Sequence, residues 1–332
     1  MITVAISPRL HAHNEDVMFI RMLKEEGFAI KLIDHDHFSH GHASDEEEIE
    51  LLNGASAVIA AGERYSRKVI ESLPDLRVIA RLGVGFDSVD VGAATANDVV
   101  LTITPNSNHE AVAGHAIALM MAVAKSIVSM DKAMRNGEWP TQPLMPIRGA
   151  TLGIVGIGRI GRDLAVRALA MKMNILATEP QPNMDFVHAN GIQLLDLDTL
   201  LKASDYVSLN CALSEETRGL IDSHKLALMK PGAVLINTAR GGLIVEADLI
   251  EALQSGQIGG AGLDVFELEP TESDNDLYDM DNVVVSPHMA GNDIQSVEDM
   301  GNEAAQCVID LFSGRWPEDA VFNRELKGIW NW

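Results

Sequence analysis

A glycine-rich turn is the strongest chemical signal in the sequence. Gly156, Gly158 and Gly161 follow the apolar segment 152–155 and open a helical pattern. In a strand-to-helix turn of this spacing, the first glycine permits the tight turn and the second lets the backbone approach a pyrophosphate, while the third lets the helix pack on the strand. Such turns also occur for steric reasons alone, but here the helix amides that follow could bind phosphate. The pattern predicts a dinucleotide site.

An acidic residue lies where the adenosine ribose of such a dinucleotide is bound. Glu179 follows the next apolar segment, 174–177, at close to the roughly 20 residues after the glycines that are expected for a ribose carboxylate. The alternative is a solvated loop acid, which the intact glycine pattern disfavours. Because residues 180–189 include no arginine or lysine to bind a 2′-phosphate, the sequence predicts NAD rather than NADP.

Further polar side chains follow three successive apolar segments towards the C-terminus. Arg240, the acidic residues within 264–269 and His288 each come shortly after one of these segments. In open α/β sheets, ligands bind at the carboxyl ends of the strands. An arginine, a carboxylate and a histidine at three such positions therefore favour a catalytic site over a chance arrangement.

The order of these motifs resembles the D-2-hydroxyacid dehydrogenase family over nearly the whole chain. That family includes D-3-phosphoglycerate dehydrogenases and glyoxylate/hydroxypyruvate reductases. The resemblance rests on the glycine pattern together with four other motifs in the family's order, which are Gly-Val-Gly-Phe-Asp at 83–87 and the segments 237–241, 264–270 and 286–291.

The resemblance implies a role for each residue of the site. Arg240 would bind the carboxylate and carbonyl of the substrate, His288 would be the general acid/base, and Glu269 would be the carboxylate partner of that histidine. The backbone of Val84 and Gly85 would hold the substrate carboxylate. The implied cofactor contacts are Arg159, Ile160 and Glu179 with the adenosine half, Thr238, Ala239, Asp264 and Ala290 with the nicotinamide, and in addition Arg240 and His288.

These residue types also suit the chemistry on physical grounds. Oxidation of a 2-hydroxy acid at C2 removes a hydroxyl proton along with the hydride, and imidazole titrates near the working pH. A carboxylate beside the ring would orient it and favour its protonated form. A guanidinium group can hold a carboxylate bidentately and polarise the carbonyl that develops.

The sequence departs from the family pattern at two places. Asn-Cys-Ala-Leu at 210–213 stands where the family usually has His-x-Pro-Leu. Backbone contacts of Cys211 and Ala212 with the cofactor are still expected, since such contacts do not need those side chains. At 112–115 the chain reads Val-Ala-Gly-His where the family usually has Val-Ala-Glu-His, so one acid is absent.

The substrate end lacks the cations of the phosphoglycerate enzymes. Those enzymes carry a basic residue where this chain has Ala60 and a lysine-rich arm where it has the segment 139–146, which leaves Arg64 and Arg148 as nearby cations. A dianionic phosphate usually needs more positive charge. We therefore expect a small substrate of the glyoxylate or hydroxypyruvate type. The alternatives are D-3-phosphoglycerate dehydrogenase and, from another class, a non-catalytic NAD-sensing co-regulator.

The elements that must position these residues are short apolar segments that alternate with helical patterns, which favours parallel sheets covered on both faces. With the resemblance, this predicts two doubly wound α/β domains. A Rossmann NAD domain, 101–290, would be inserted into a flavodoxin-like substrate domain made of 1–100 and 291–332. The helical pattern over 108–128 is apolar almost all round and should be buried. We expect a homodimer through 101–148.

Composition limits the partners and the compartment. The 332 residues include 25 basic and 48 acidic residues, for a formal net charge of −23. Nucleic acid and anionic membranes are therefore disfavoured partners. The two cysteines, Cys211 and Cys307, cannot build a disulfide framework. Because no apolar stretch reaches the roughly 18 residues that span a bilayer, we expect a soluble cytoplasmic protein.

Three other features are interpreted structurally. The histidines at 35, 37, 40 and 42 lack a closed tetrahedral ligand set, so we expect no metal site. The acidic run 45–48 is interpreted as the charged first turn of a helix, where carboxylates complement the helix dipole. His115 lies in an apolar helical pattern and is expected to be a hydrogen-bonded buried histidine.

Overall fold

The computed structural model describes most of the chain, with short gaps near the N-terminus. His37 and His40 of the histidine cluster lie outside the described residues. Among the residues described, no group of three or more His, Cys, Asp or Glu side chains could hold a metal ion. The described residues are 2–7, 17–33, 35, 38 and 41–331.

The chain divides into two compact units, one of which is discontinuous. The first unit is Met1–Asn108 with Asp293–Trp332, and the second is His109–Asn292. The two crossings, where the chain passes from one unit to the other, therefore follow residues 108 and 292, later than the boundaries expected after residues 100 and 290. At the first crossing the reason is hydrogen bonding, because the strand Val100–Thr102 pairs within the sheet of the first unit.

The first unit contains a five-stranded parallel sheet with the strand order expected of a flavodoxin-like domain. Its strands are β1 Thr3–Ile6, β2 Ala29–Leu32, β3 Ala57–Ala60, β4 Val78–Arg81 and β5 Val100–Thr102. Their order across the sheet is β2-β1-β3-β4-β5. The helices of this unit are α1 Met18–Glu25, α2 Asp45–Leu52, α3 Arg67–Glu71, α4 Val91–Ala96 and, after the second crossing, α12 Ile294–Phe312.

The second unit contains a seven-stranded parallel sheet. Its strands are β6 Thr151–Val155, β7 Asn174–Thr178, β8 Gln193–Leu194, β9 Tyr206–Leu209, β10 Val234–Asn237, β11 Gly260–Leu263 and β12 Val283–Val285. The order β12-β11-β10-β9-β6-β7-β8 is that of a Rossmann fold, in which the strand order reverses beside the first strand, β6, while all strands stay parallel. The helices are α5 His109–Ala124, α6 Ile127–Arg135, α7 Arg159–Ala170, α8 Met184–Ala189, α9 Leu197–Ala203, α10 Ser223–Leu228 and α11 Glu246–Gln254.

Alternate residues of the strands pack into two separate hydrophobic clusters in each unit. In β1, Val4 and Ile6 belong to one cluster, whereas Ala5 belongs to the other. Successive side chains of a strand point to opposite faces of the sheet. Both faces are therefore buried, which confirms the predicted α/β architecture and explains why the strands appear in the sequence as continuous apolar segments.

The helix predicted over 108–128 is two helices, α5 and α6, which are bent by 56° at the break between them. The chain turns at Ser126, whose φ of 49° is left-handed, and an α-helix of L-residues does not continue through that conformation. Among the described residues, no single helix is long and apolar enough to cross a membrane, and this bent pair meets the same criteria only when its two helices are taken together.

Two carboxyl groups are buried beside the ends of β3 and β4. Glu63 accepts a hydrogen bond from the amide of Ala61, and Glu48 accepts one from the amide of Arg64. Glu48 is only 1% exposed, so the acidic run is not simply a solvated first turn. Burial raises the pKa of each of these two carboxyl groups to about 7, although the charge of Arg81 opposes the rise at Glu63.

Removal of the charge at Glu63 should stabilise the protein in a pH-dependent manner. Because the folded-state pKa lies above the ordinary value of 4.5, the stability that Glu63 contributes is full below about pH 4.5 and is lost as the pH rises through 7. Glu63→Gln keeps an acceptor for Ala61 without the charge. We expect it to raise the free energy of unfolding by up to about 3 kcal/mol at pH 8, and much less at pH 5.

Urea unfolding at the two pH values measures this effect. Glu50→Gln is a matched control, because Glu50 lies exposed on the same helix as Glu48. An equal effect of Glu63→Gln at pH 5 and pH 8 would contradict the prediction.

Candidate active site

The three glycines at the turn from β6 into α7 meet different steric surroundings. A Cβ at Gly156, where φ is +94°, would lie 2.7 Å from the amide nitrogen of Cys211, and a Cβ at Gly161 would lie 2.2 Å from the carbonyl oxygen of Gly156. A Cβ at Gly158 would meet no heavy atom within 4 Å. The packing of the chain therefore requires glycine at the first and third positions, whereas the second faces open space.

That open space lies in front of the N-terminus of α7. Gly158 is the N-cap residue, and glycine has no side chain with which to cap the first amides of the helix. Arg159 is exposed and Ile160 is half-buried. Free amides and the positive end of the helix dipole form a binding site for an anion such as pyrophosphate.

Glu179 lies directly against this turn. One carboxylate oxygen accepts a hydrogen bond from the amide of Ile157 at 3.1 Å, and the other accepts one from the amide of Gln181 at 3.3 Å. The half-buried carboxylate is thus fixed beside the glycine turn at the end of β7. Its position suits a contact with the ribose that is attached to a bound pyrophosphate.

Two buried polar atoms follow β9 and β10 without a partner among the described residues. They are Oδ1 of Asn210 and Oγ1 of Thr238. Buried polar groups in native proteins are almost always hydrogen-bonded, so these two atoms fit a site that a polar ligand completes. The predicted cofactor contacts Cys211 and Ala212 follow Asn210. Burial raises the pKa of the Cys211 thiol to about 11, which argues against a role as a nucleophile.

His288 and Glu269 form a hydrogen-bonded pair. Nδ1 of His288 lies 2.6 Å from Oε2 of Glu269, and the other oxygen of this carboxylate accepts the amide of Phe266 at 2.8 Å. Burial alone would raise the pKa of Glu269, but the hydrogen bond and the charge of His288, the Phe266 amide and the charge of Arg240 together lower it. The carboxylate therefore stays ionised and fixes the ring, while the histidine remains half-exposed.

Arg240 completes the set at the end of β10. Its Nη1 donates to the carbonyl of Ala239 at 2.7 Å, and its charge acts on Glu269. The second unit thus brings the arginine, the carboxylate and the histidine together at neighbouring strand ends. Among the other predicted nicotinamide contacts, Ala239 is half-buried, whereas Thr238 and Ala290 are buried.

Asp264 is placed differently from the other predicted nicotinamide contacts. It is fully buried, and its carboxylate accepts hydrogen bonds from Ser286 and from the amides of Met289 and Ala290. A direct contact with the nicotinamide stays a prediction, whereas the observed bonds hold the loop around His288. Ser286 is in turn bonded to His115. The expectation that His115 is hydrogen-bonded is confirmed, but the expectation that it is buried is wrong, because its side chain is 27% exposed. No pattern in the sequence indicated Ser286 as its partner.

Val84 and Gly85 belong to the first unit, in the loop that follows β4. The amide of Gly83 donates to Oγ1 of Thr104 at 2.6 Å, and Nε of Arg81 donates to the carbonyl of Gly85 at 3.1 Å. These bonds fix the loop, while Val84 is exposed at its tip. Their proposed contact with a substrate carboxylate stays a prediction.

The fold and the glycine turn define a dinucleotide-binding α/β protein. Residues 117–290 match the family described as D-isomer specific 2-hydroxyacid dehydrogenase, NAD binding domain. The chain belongs to the D-isomer specific 2-hydroxyacid dehydrogenase family. The resemblance inferred from the motifs and the predicted NAD-binding domain are therefore confirmed.

Named relatives span more than one activity. The chain is 36% identical over 283 residues to the D-3-phosphoglycerate dehydrogenase of Archaeoglobus fulgidus, a match that covers 85% of this chain and 54% of that protein. It is also 36% identical over 329 residues to the glyoxylate reductase of Thermococcus onnurineus, with 94% and 97% covered. The chain thus spans about half the length of the phosphoglycerate dehydrogenases that it matches.

A solved structure with a bound cofactor supports the same family. The D-lactate dehydrogenase of Aquifex aeolicus, solved with NAD and lactic acid, superposes with a TM-score of 0.83 at 26% identity and covers 96% of this chain and 98% of its own.

The glycine geometry predicts that Gly158→Ala separates cofactor binding from folding. The new methyl group meets open space in the protein but would occupy the position of an approaching phosphate. We expect the melting temperature to change little, while NADH binds at least tenfold more weakly. Gly161→Ala is the matched comparison, because its methyl group clashes with the carbonyl of Gly156 and should lower the melting temperature. Thermal unfolding and NADH fluorescence titration measure both effects, and unchanged NADH affinity in Gly158→Ala would argue against this phosphate site.

Proposed function

We propose that the protein is an NAD-dependent oxidoreductase that interconverts a small D-2-hydroxy acid and its 2-keto acid. The observation that carries the proposal is the 2.6 Å bond between His288 and Glu269, with the charge of Arg240 acting on the same carboxylate. A dinucleotide-binding protein without catalysis does not need this arrangement.

The orientation of the His288 ring assigns a task to each nitrogen. Because Nδ1 faces Glu269, Nε2 is left to exchange a proton with the oxygen on C2 of the substrate. In the reduction direction Nε2 donates this proton, and in the oxidation direction it accepts it. The ionised Glu269 stabilises the charged imidazolium and holds the ring. When bound, the cofactor would supply the hydride as NADH in the reduction direction and would accept it as NAD⁺ in the oxidation direction.

Arg240 would bind and polarise the substrate. Its guanidinium can hold the carboxylate bidentately and stabilise negative charge on the carbonyl oxygen. The backbone of Val84 and Gly85 is proposed to hold the substrate carboxylate, as the family resemblance implies.

The cofactor half of the site favours NAD over NADP. The carboxylate of Glu179, held on the amides of Ile157 and Gln181, can accept hydrogen bonds from ribose hydroxyls, whereas it would repel a 2′-phosphate. Arg159 and Ile160 at the start of α7 are proposed to contact the adenosine side of the cofactor.

The substrate is proposed to be unphosphorylated, of the glyoxylate or hydroxypyruvate type. Ala60 is completely buried and offers no charge, and the main chain of Arg64 is held by Glu48. D-3-phosphoglycerate dehydrogenase remains the second candidate, because the side chain of Arg64 is exposed at the end of β3 and relatives with that name match the chain.

We also propose a homodimer formed through the 101–148 segment. Five large apolar side chains in α6 and in the segment that follows it up to residue 144 are exposed, among them Trp139 at 79%. Association would remove them from water. They are Ile127, Val128, Met134, Trp139 and Leu144.

The net charge of −23 disfavours nucleic acid as a partner. Cys211 and Cys307 are both free thiols, which favours a cytoplasmic location.

A panel of keto acids tests the proposed activity. With NADH, we expect turnover of glyoxylate or hydroxypyruvate and no advantage in kcat/KM for 3-phosphohydroxypyruvate over hydroxypyruvate. With NADPH in place of NADH, turnover should fall because of Glu179. A strong preference for 3-phosphohydroxypyruvate that is lost in Arg64→Ala would establish D-3-phosphoglycerate dehydrogenase as the function. If the protein binds NADH but reduces none of the keto acids, the result would favour a non-catalytic co-regulator.

Substitution of His288 tests the proton transfer. His288→Gln should lower kcat by roughly 10²–10⁴-fold, because glutamine cannot exchange a proton, while the Kd of NADH stays close to that of the wild type. His188→Gln is the matched control, since His188 is exposed on α8. Turnover within a few-fold of wild type in His288→Gln would refute the acid/base assignment.

A further inference from the structure

The loop that carries His288 is built around the buried carboxylate of Asp264. Its Oδ1 accepts hydrogen bonds from Oγ of Ser286 at 2.6 Å and from the amide of Met289 at 2.9 Å, and its Oδ2 accepts the amide of Ala290 at 2.8 Å. The residue is 0% exposed, and a polar group buried to this extent needs such partners. Since the donors flank His288 on both sides in the sequence, one carboxylate fixes the loop on each side of that histidine.

The backbone of His288 needs this restraint. Its φ of 53° is left-handed, a conformation that is unfavourable for a residue other than glycine and that persists only where the surroundings impose it. The amide of His288 donates to the main-chain carbonyl of Asp264 at 2.8 Å. Both the backbone and the side chain of Asp264 therefore hold the strained residue in place.

His115 on α5 is the next member of this network. Its Nε2 lies 2.8 Å from Oγ of Ser286 and 3.5 Å from Oδ1 of Asp264. A serine hydroxyl has one proton, and Ser286 donates it to Oδ1 of Asp264. The oxygen of Ser286 must then accept from His115, which places a proton on Nε2 of that histidine. The bonds thus run in one direction, from His115 through Ser286 to Asp264.

We propose that His115 is a positioning residue for the acid/base step. Through Ser286 and Asp264 it holds the 286–290 loop in the conformation that presents the His288 ring to Glu269. Catalytic groups must be held within about 0.5 Å of the productive geometry, so loss of the donor at His115 reduces the rate of reaction rather than the affinity for NADH. The proposal rests on the proposed role of His288.

A pair of variants at His115 tests the proposal. His115→Gln retains an N–H donor near the position of Nε2, whereas His115→Leu removes it with an apolar side chain. We expect His115→Leu to lower kcat by at least tenfold with the Kd of NADH within about threefold of wild type, and His115→Gln to restore most of the rate. His188→Leu is the matched control and should leave both quantities unchanged.

A second measurement follows the His288 ring itself and needs no substrate. The proton on Nδ1 that is shared with Glu269 should give a downfield NMR resonance, identified by its absence in His288→Gln. We expect this resonance in the wild type and in His115→Gln, and expect it to broaden or shift in His115→Leu. Because this comparison does not depend on turnover, it decides the positioning role even if no keto acid in the panel is reduced.

Two outcomes would overturn the proposal. One is an unchanged kcat and an unchanged His288 resonance in His115→Leu. The other is a parallel loss of thermal stability, NADH affinity and kcat with the resonance intact, which would show that His115 only packs. Should His115→Leu fail to fold, Ser286→Ala interrupts the network at its middle member and is judged by the same two measurements.

Discussion

The register of three parallel strands governs the geometry of the site. In the second unit Asn237 of β10 is aligned with Leu263 of β11, and Leu263 is aligned with Val285 of β12. Because parallel strands in this register end level with one another, the loops that follow them emerge side by side at about 4.8 Å spacing. A slip of one residue in any pair would turn the side chains of that strand to the opposite face. Correct pairing of the sheet is therefore sufficient to gather groups that are distant in sequence.

The strand ends alone do not orient His288, the proposed acid/base. That orientation depends on a buried carboxylate, Asp264, which follows β11 and binds the loop after β12. A buried carboxyl group without partners and a left-handed residue are both costly, and here the two occur together, since the amides of Met289 and Ala290 that bond to Asp264 directly follow the left-handed His288. A single hydrogen bond between Nδ1 of His288 and Glu269 then fixes the imidazole ring.

Much of this arrangement could be predicted from sequence, because it depends on local patterns. The strands appear as short apolar segments, and Arg240, the acidic residues within 264–269 and His288 follow three of them, so parallel α/β sheets and a group of polar side chains at strand ends could be predicted from the residues. The two-domain layout and the choice of Glu269 among the acids came from the family resemblance. The break at Ser126 could not, because it depends on one backbone angle within a helical composition. The burial of Glu48 could not be predicted either. Acids at the start of a helix are usually solvated, whereas Glu48 is buried and accepts a hydrogen bond from the amide of Arg64 in the segment after β3.

The glycine turn shows why a motif alone leaves its function open. Two of its glycines, Gly156 and Gly161, are required by the contacts of the chain with itself, and a protein that binds no cofactor would need them equally. Only Gly158 has no such requirement from the packing around it. Because the packing of the chain does not require glycine at this position, Gly158 is the residue of the motif that indicates a ligand. Within the motif, Gly158 together with Glu179 therefore indicates the dinucleotide, and the other two glycines support the fold that presents them.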